Sequence, residues 1–188
     1  VQGWMTWDTR NDNTNLALVL DERYSSLARY YGKQKNIYRC PADKYLANIQ
    51  RNLGWTERTR SVAGNVYCGG DQVDINTGPV DPVYVPTAKM TQLVNPAPAN
   101  SWVFLDEHPD SINDAGFFAP KIGQWIDVPS NLQNGACGVA LADGHSEIHK
   151  WQSYVKNVKV TFNTYSATTV AANDKDLLWL RERTQRKR

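Results

Sequence analysis

The sequence GACGVALADGHSEIHKWQSY, residues 135–154, decides the fold of this chain. Two strand-like runs, 135–142 and 145–154, flank the dipeptide Asp143-Gly144. Asp-Gly tolerates the positive φ angles of a tight two-residue turn, so the pattern predicts two strands joined as a hairpin. We expect this hairpin to belong to an antiparallel sheet.

The other elements are predicted from hydrophobic periodicity and from Gly and Pro. Apolar residues recur at helical spacing over 15–31, and Gly32 then supplies a stop. Two more helices are predicted over 42–53 and 174–185. Further strands are predicted over 36–40, 58–67, 101–107, 116–126 and 158–162. With a helix first and an antiparallel sheet afterwards, the predicted fold class is α+β.

We predict a single domain over residues 1–188, which is long enough to bury a core. Residues 68–100 contain many turn-forming residues and are predicted to form a long irregular excursion with one short helix near Met90. Residues 174–188 are predicted to form a C-terminal helix with a basic tail.

Charge and hydropathy exclude some functions. The net charge is +2, from 21 basic and 19 acidic residues, so no overall field indicates a nucleic-acid partner. No apolar run is long enough to span a bilayer. Because the chain begins at Val1, we expect a processed or truncated protein whose N-terminal targeting segment has been removed. If the protein is exported, Cys40, Cys68 and Cys137 allow one disulfide and one free thiol, with the pairing open.

Four carboxylates lie at and after the end of the strand predicted over 101–107, namely Asp106, Glu107, Asp110 and Asp114. Calcium takes six to eight oxygen ligands, and Pro109 and Asn113 favour turns that bring such carboxylates together. One interpretation is therefore a calcium-ordered loop. The others are turn capping, with Glu107 paired to Arg58 or Arg60, and acid–base catalysis.

A second polar cluster follows the hairpin turn. His145, Glu147 and His149 alternate, so on a strand they share one face. Two histidines in this arrangement, with His108 as a third ligand, predict a zinc site. The alternative is ordinary hydrogen-bonded histidines covered by Trp151, which continues the same face.

Two other function classes compete with a structural role. The first is a polysaccharide-binding module with surface tryptophans as sugar platforms, for which the candidates are Trp4, Trp7, Trp55 and Trp125. The second is a glycoside hydrolase built on Asp106, Glu107 and Asp127, since such enzymes need two opposed carboxylates.

Several segments together resemble a known family. These are YRCPAD at 38–43, RSV at 60–62, the acidic loop at 106–114, and the stretch from NGACG at 134–138 to Asp143-Gly144-His145. They resemble the prepilin-type, pseudopilin-like proteins with a processing-associated H-X9-DG domain of Planctomycetes, Verrucomicrobia and Lentisphaerae. The resemblance covers about residues 4–184. At the position of the family's histidine this chain has Gln133.

The resemblance implies a pilin-like head, with an N-terminal helix packed on an antiparallel sheet. It also implies a non-enzymatic subunit of a type IV pilin-like or type II secretion filament in the cell envelope, periplasmic or extracellular. Its partners would be further copies or other pseudopilins, and its membrane contact would come only through a missing N-terminal helix. By analogy with major pseudopilins, the resemblance favours calcium as the cofactor of the acidic loop.

Overall fold

The computed structural model describes residues 4–69 and 81–186. It has an α+β fold built on a five-stranded sheet in the order β3-β1-β2-β5-β6. The strands of this sheet are β1 (Val62–Asn65), β2 (Trp102–Asp106), β3 (Gly116–Phe117), β5 (Ala136–Leu141) and β6 (Ser146–Lys150). A separate two-stranded sheet joins β4 (Gln124–Trp125) to β7 (Thr168–Thr169).

The predicted hairpin is confirmed. Strands β5 and β6 pair antiparallel, with Cys137 opposite His149. At the turn, the Asp143 Oδ1 atom accepts a hydrogen bond from the His145 amide at 3.1 Å. Gly144 has a φ of +98°, which a residue with a side chain rarely adopts. The Asp-Gly pair therefore sets the register of β5 against β6, as its sequence predicts.

The sheet is mixed, so the prediction of a purely antiparallel sheet is wrong at one edge. Strand β3 pairs parallel to β1, with Gly64 opposite Gly116. The strand predicted over 116–126 is divided, because Pro120 lacks an amide donor and Gly123 turns the chain with a φ of +69°. Its second part, β4, pairs with β7, and the predicted strand at 158–162 does not form.

The long N-terminal helix predicted over 15–31 is also wrong. Only α1 (Ala17–Leu20) is α-helical there, followed by a 3-10 turn at Ala28–Tyr30. Asp21 is extended, and its side chain accepts a hydrogen bond from the Arg23 amide at 2.9 Å, which offers the backbone an alternative to the helix.

The other predicted elements differ in length or type. The helix predicted over 42–53 shortens to α2 (Asn48–Asn52), and the strand predicted over 36–40 is the 3-10 helix Lys35–Tyr38. The helix predicted near Met90 is the 3-10 turn Met90–Gln92. Within the excursion, residues 70–80 lie outside the described residues.

The core lies on one side of the sheet. Trp102, Leu105 and Val139 project from the strands into it and are almost fully buried. Helix α3 (Lys175–Glu182) covers this side with Leu177 and Leu180. Beyond the helix, Arg186 is described and residues 187–188 of the basic tail are not.

The opposite side, here called the outer face, presents Val62, Gly64, Phe104, Ala140 and Ile148, all half-buried or exposed. A groove of about 340 Å³ runs along it. Among the described residues, no helix has the length and apolar character needed to cross a membrane.

Candidate functional site

The acidic loop, residues 106–114, leaves the end of β2 and brings the chain back toward β3. Asp106 and Glu107 point to opposite sides, as their adjacent positions on a strand predict. The loop is held by backbone bonds on both sides. The Glu107 amide donates to the Ser61 carbonyl at 2.8 Å, and the His108 amide donates to the Val128 carbonyl at 3.0 Å.

Asp106 is bound to the start of β5. Its Oδ2 atom accepts hydrogen bonds from the Gly138 amide at 3.0 Å and from Gln133 Nε2 at 3.1 Å. Burial raises the pKa of Asp106, and the Gly138 amide opposes that shift. A Cβ atom at position 138 would lie 3.1 Å from the same carboxylate oxygen, so Gly138 allows this close approach.

Glu107 is 1% exposed and lies among other charged groups. Its Oε1 atom accepts a hydrogen bond from the Ser111 hydroxyl at 2.8 Å, and Ser111 in turn accepts one from the Val128 amide. Burial and the neighbouring Asp127 raise the pKa of Glu107 well above its usual range, while Arg60 acts in the opposite direction. Glu107 is therefore held through one oxygen by the Ser111 hydroxyl, while its Oε2 atom has no hydrogen-bond partner in the described part of the chain.

Two buried arginines in the segment before β1 support the loop. Arg58 Nη1 donates to the Pro109 carbonyl at 3.2 Å, and Arg60 Nη2 donates to the Asn113 carbonyl at 2.9 Å. The Arg58 guanidinium lies 4.2 Å from the centre of the Trp7 ring. The cations thus hold the loop mainly through its carbonyl groups.

Asp110 connects three distant parts of the chain. Its Oδ1 atom accepts hydrogen bonds from the Trp7 indole at 2.9 Å and from the Phe162 amide at 3.1 Å. Its Oδ2 atom accepts from the Thr161 amide at 2.7 Å and the Thr161 hydroxyl at 2.9 Å. Four donors fill the positions that a carboxylate offers. This side chain acts as a tie between the N-terminal segment and the 161–162 loop.

The four predicted calcium ligands do not converge. Asp106 contacts β5, Glu107 contacts Ser111, Asp110 contacts Trp7 and Thr161, and Asp114 Oδ1 accepts from the Gly116 amide at 2.7 Å. Within residues 4–69 and 81–186, no group of three or more His, Cys, Asp or Glu side chains is arranged to hold a metal ion. Turn capping, the second interpretation of the loop, describes these contacts best.

Calcium binding by the loop stays a prediction with a direct test. An ion that binds the folded chain but not the unfolded chain raises the melting temperature. The measurement compares thermal unfolding in calcium, in magnesium and in chelator. A rise specific to calcium, lost in Asp114→Ala, would support a bound ion, because Asp114 accepts a single hydrogen bond and is the one carboxylate of the four that is only half-buried. Identical melting curves would exclude it.

Asp127 gives the cluster a pH dependence. Burial raises its pKa from 3.8 to about 7, although the Phe118 amide donates to its Oδ2 atom at 2.7 Å. A raised carboxyl pKa stabilises the folded state at low pH, and that stability is lost as pH rises from about 4 to about 7. The Asp127→Asn variant keeps an acceptor for Phe118 without the charge. Between these pH values we expect it to gain about 2 kcal/mol relative to the parent, since solvent reaches the half-buried side chain.

The measurement is chemical unfolding of both proteins across this pH range. His108 responds in the opposite sense, because burial lowers its pKa to about 4 and the folded state loses stability as pH falls below about 6.5. Since both proteins contain His108, its contribution cancels in the difference between them, which reports Asp127 together with its effect on the pKa of the neighbouring Glu107. A difference that stays constant from pH 4 to pH 7 would contradict the prediction.

The predicted zinc ligands lie apart. His145 is exposed and pairs with Asp143 through its Nδ1 atom at 2.6 Å. His149 stacks on Trp179, with ring centres 3.5 Å apart and an interplanar angle of 16°, and Trp151 covers its edge. His108 is fully buried in the acidic loop. The alternative, ordinary histidines covered by Trp151, describes His149.

The structure corrects part of the sugar-platform prediction. Trp125 is 0% exposed and packs against Trp151, so no sugar can reach it. Trp7 is half-buried, with one contact to Arg58 and another to Phe162. Trp55 is half-buried, and Trp4 is 46% exposed. The four rings therefore do not form one platform.

The glycosidase arrangement is wrong for a related reason. Glu107 is 1% exposed, so a glycosidic oxygen has no access to its carboxyl group. Asp106 points to the other side of the strand, toward Gly138. Asp127 is occupied by the Phe118 amide.

Sequence reasoning missed several residues that hold the site. Thr161 and Gln133 donate to Asp110 and Asp106, and the buried Asp176 holds the chain after β6. Thr161 lies 51 residues from its partner, and no local pattern signals such a contact. For Gln133 a signal existed, because it occupies the histidine position of the H-X9-DG resemblance.

Comparison with known proteins adds no relative. No family model matches the chain, and searches of curated proteins and of solved structures found no significant match. The site has to be interpreted from its own geometry.

Proposed function

We propose that this chain is a non-enzymatic subunit of the bacterial cell envelope, related to pseudopilins and type IV pilins, and exported. The observation that carries the proposal is the state of the acidic loop. Its polar side chains are bound to backbone amides, to Ser111, to Gln133 and to Trp7, and most are buried. Groups engaged in this way hold a domain together. Glu107 Oε2 and His108 Nε2 have no hydrogen-bond partner among the described residues, but both side chains are buried, so a substrate has no access to them.

The geometry of the H-X9-DG region supports a structural role. Gln133 precedes β5 and Asp143 follows it, so the two ends of the motif lie at opposite ends of this strand. Gln133 contacts Asp106 and the Cys40 sulfur, whereas Asp143 caps the hairpin turn. Residues of a catalytic centre meet at one place, whereas the two ends of this motif make separate contacts. This arrangement favours a structural role for the motif.

The outer face of the sheet supports assembly with another element. Phe104 and Ala140 line its groove together with Leu27 and Tyr31, and the exposed side of Leu27 is apolar. Exposed apolar surface of this kind marks interaction sites in soluble domains. A filament subunit uses such surfaces for packing.

The gene upstream of the codon for Val1 tests the proposal. We expect a prepilin peptidase cleavage site followed by an apolar helix of about 20 residues. An ordinary cleavable signal peptide, or an attached catalytic domain, would overturn the proposal. The result depends only on the gene, so it is independent of the behaviour of the folded domain in solution.

A further inference from the structure

Strand β6 forms one edge of the five-stranded sheet. The Leu141 amide donates to the His145 carbonyl at 2.9 Å, and the Trp151 amide donates to the Gly135 carbonyl at 2.9 Å. Bonded pairs alternate along an antiparallel ladder, so His145, Glu147 and His149 direct their backbone groups toward β5. The backbone groups of the residues between them point away from the sheet.

These outward residues are Ser146, Ile148 and Lys150. Within the described part of the chain, no hydrogen bond reaches their outward N–H and C=O groups. All three side chains are exposed, and Ile148 is 65% exposed on the outer face. An unpaired edge of this kind is a template for another strand.

The sequence of β6 is self-complementary when two copies run antiparallel about Ile148. In that register Ser146 lies opposite Lys150 of the other copy, and Ile148 lies opposite itself. Each outward residue then exchanges a pair of hydrogen bonds with its opposite residue. Glu147 lies opposite His149, so no two like charges face each other.

Other antiparallel registers are worse. Moving the centre to residue 147 places Glu147 opposite Glu147, and moving it to residue 150 places Lys150 opposite Lys150. Like charges directly opposite each other destabilise a strand pair. Centring on residue 149 leaves Ser146 without a partner within β6. The charges and the outward hydrogen-bond groups thus select the register centred on Ile148.

We propose that a second copy of this chain pairs with β6 across a two-fold axis at Ile148, which makes one continuous sheet. The pairing joins the two outer faces, with the two Ile148 side chains in contact at the junction. It goes beyond the proposed envelope function and does not depend on it, since it needs only the exposed edge. A five-residue strand gives a small interface, so we expect association at about 10–100 µM.

Cysteine cross-linking tests the register. Opposite residues of a hydrogen-bonded pair have Cα atoms about 5.5 Å apart, which a disulfide can span. Ile148→Cys should therefore form a covalent dimer under mild oxidation at least about tenfold faster than Ile122→Cys. Ile122 is a matched control because it is 71% exposed and lies in a turn away from β6. The parent chain controls for the native thiols, of which Cys40 and Cys137 are buried.

Sedimentation tests the association itself. Ile148→Glu places two carboxylates opposite each other and should weaken dimerisation at least about tenfold, whereas Ile122→Glu should leave it unchanged. Circular dichroism confirms that both variants fold. A parent chain that stays monomeric up to about 1 mM would overturn the proposal. So would equal cross-linking at the two cysteine positions, or a dimer that Ile148→Glu leaves intact.

Discussion

Replacing Asp110 with alanine is expected to lower the free energy of unfolding by about 3 kcal/mol. The carboxylate accepts hydrogen bonds from Trp7, Thr161 and Phe162, and it is only 7% exposed. Its removal leaves these donors without their acceptor in a place that water reaches poorly, and an unsatisfied buried donor costs more than a hydrogen bond contributes. Urea unfolding followed by tryptophan fluorescence measures the change.

Two further variants make this result specific. Asp110→Asn keeps one acceptor oxygen, so we expect its free energy of unfolding to lie between those of the parent and the alanine variant. Glu22→Ala removes an exposed carboxylate paired with Arg29 at 2.8 Å, and should change stability by no more than about 0.5 kcal/mol. If Asp110→Ala is as mild as Glu22→Ala, the tie described for Asp110 does not exist in solution.

Asp176→Ala is expected to have a comparable effect, about 3 kcal/mol. Asp176 lies in the first turn of α3 and is 1% exposed. It accepts hydrogen bonds from the amides of Gln152 at 2.7 Å, Ser153 at 3.0 Å and Val155 at 3.1 Å. Successive amides directed at one carboxylate form an anion-binding concavity, and alanine leaves that concavity without its anion.

Asp174→Ala provides the matched comparison in the same turn. Asp174 caps α3 by accepting from the Leu177 amide at 3.0 Å, and its Oδ2 atom accepts from the Tyr154 amide at a longer 3.3 Å. Loss of such a cap costs about 1 kcal/mol. Thermal and urea unfolding should therefore rank Asp176→Ala well below Asp174→Ala in stability. The reverse order would show that Asp174, and not the buried Asp176, is the main link between α3 and the chain after β6.

The parts of the fold that were predictable are those determined by neighbouring residues. The Asp-Gly turn and the alternation on either side of it specify β5 and β6 without reference to the rest of the chain. The helix predicted over 15–31 rested on spacing alone. Leu16 and Leu27 are 38% and 42% exposed, so those apolar positions do not face a core. The turn at Asp21 decides the conformation there.

The sequence showed which acidic residues form the cluster, but not which residues they contact. The carboxylates of the acidic loop are adjacent in sequence, so the cluster is visible without a structure. Their partners come from β5 and the segment before it, from the loop at 161–162 and from the N-terminal segment, and only the folded chain brings these together. Trp7 and Trp125 show the same limit, since sequence does not distinguish a buried ring from an exposed one.

The contacts of Asp110 also affect the order in which parts of the chain can fold. They join residues 103 positions apart at Trp7 and 51 positions apart at Thr161. Contacts across such separations carry a large loop-closure entropy and form late in folding. During synthesis the tie at Asp110 is therefore complete only after residues 161–162 have left the ribosome. Until then Trp7 lacks its contact with Phe162, so more of this apolar ring is open to aggregation in the nascent domain.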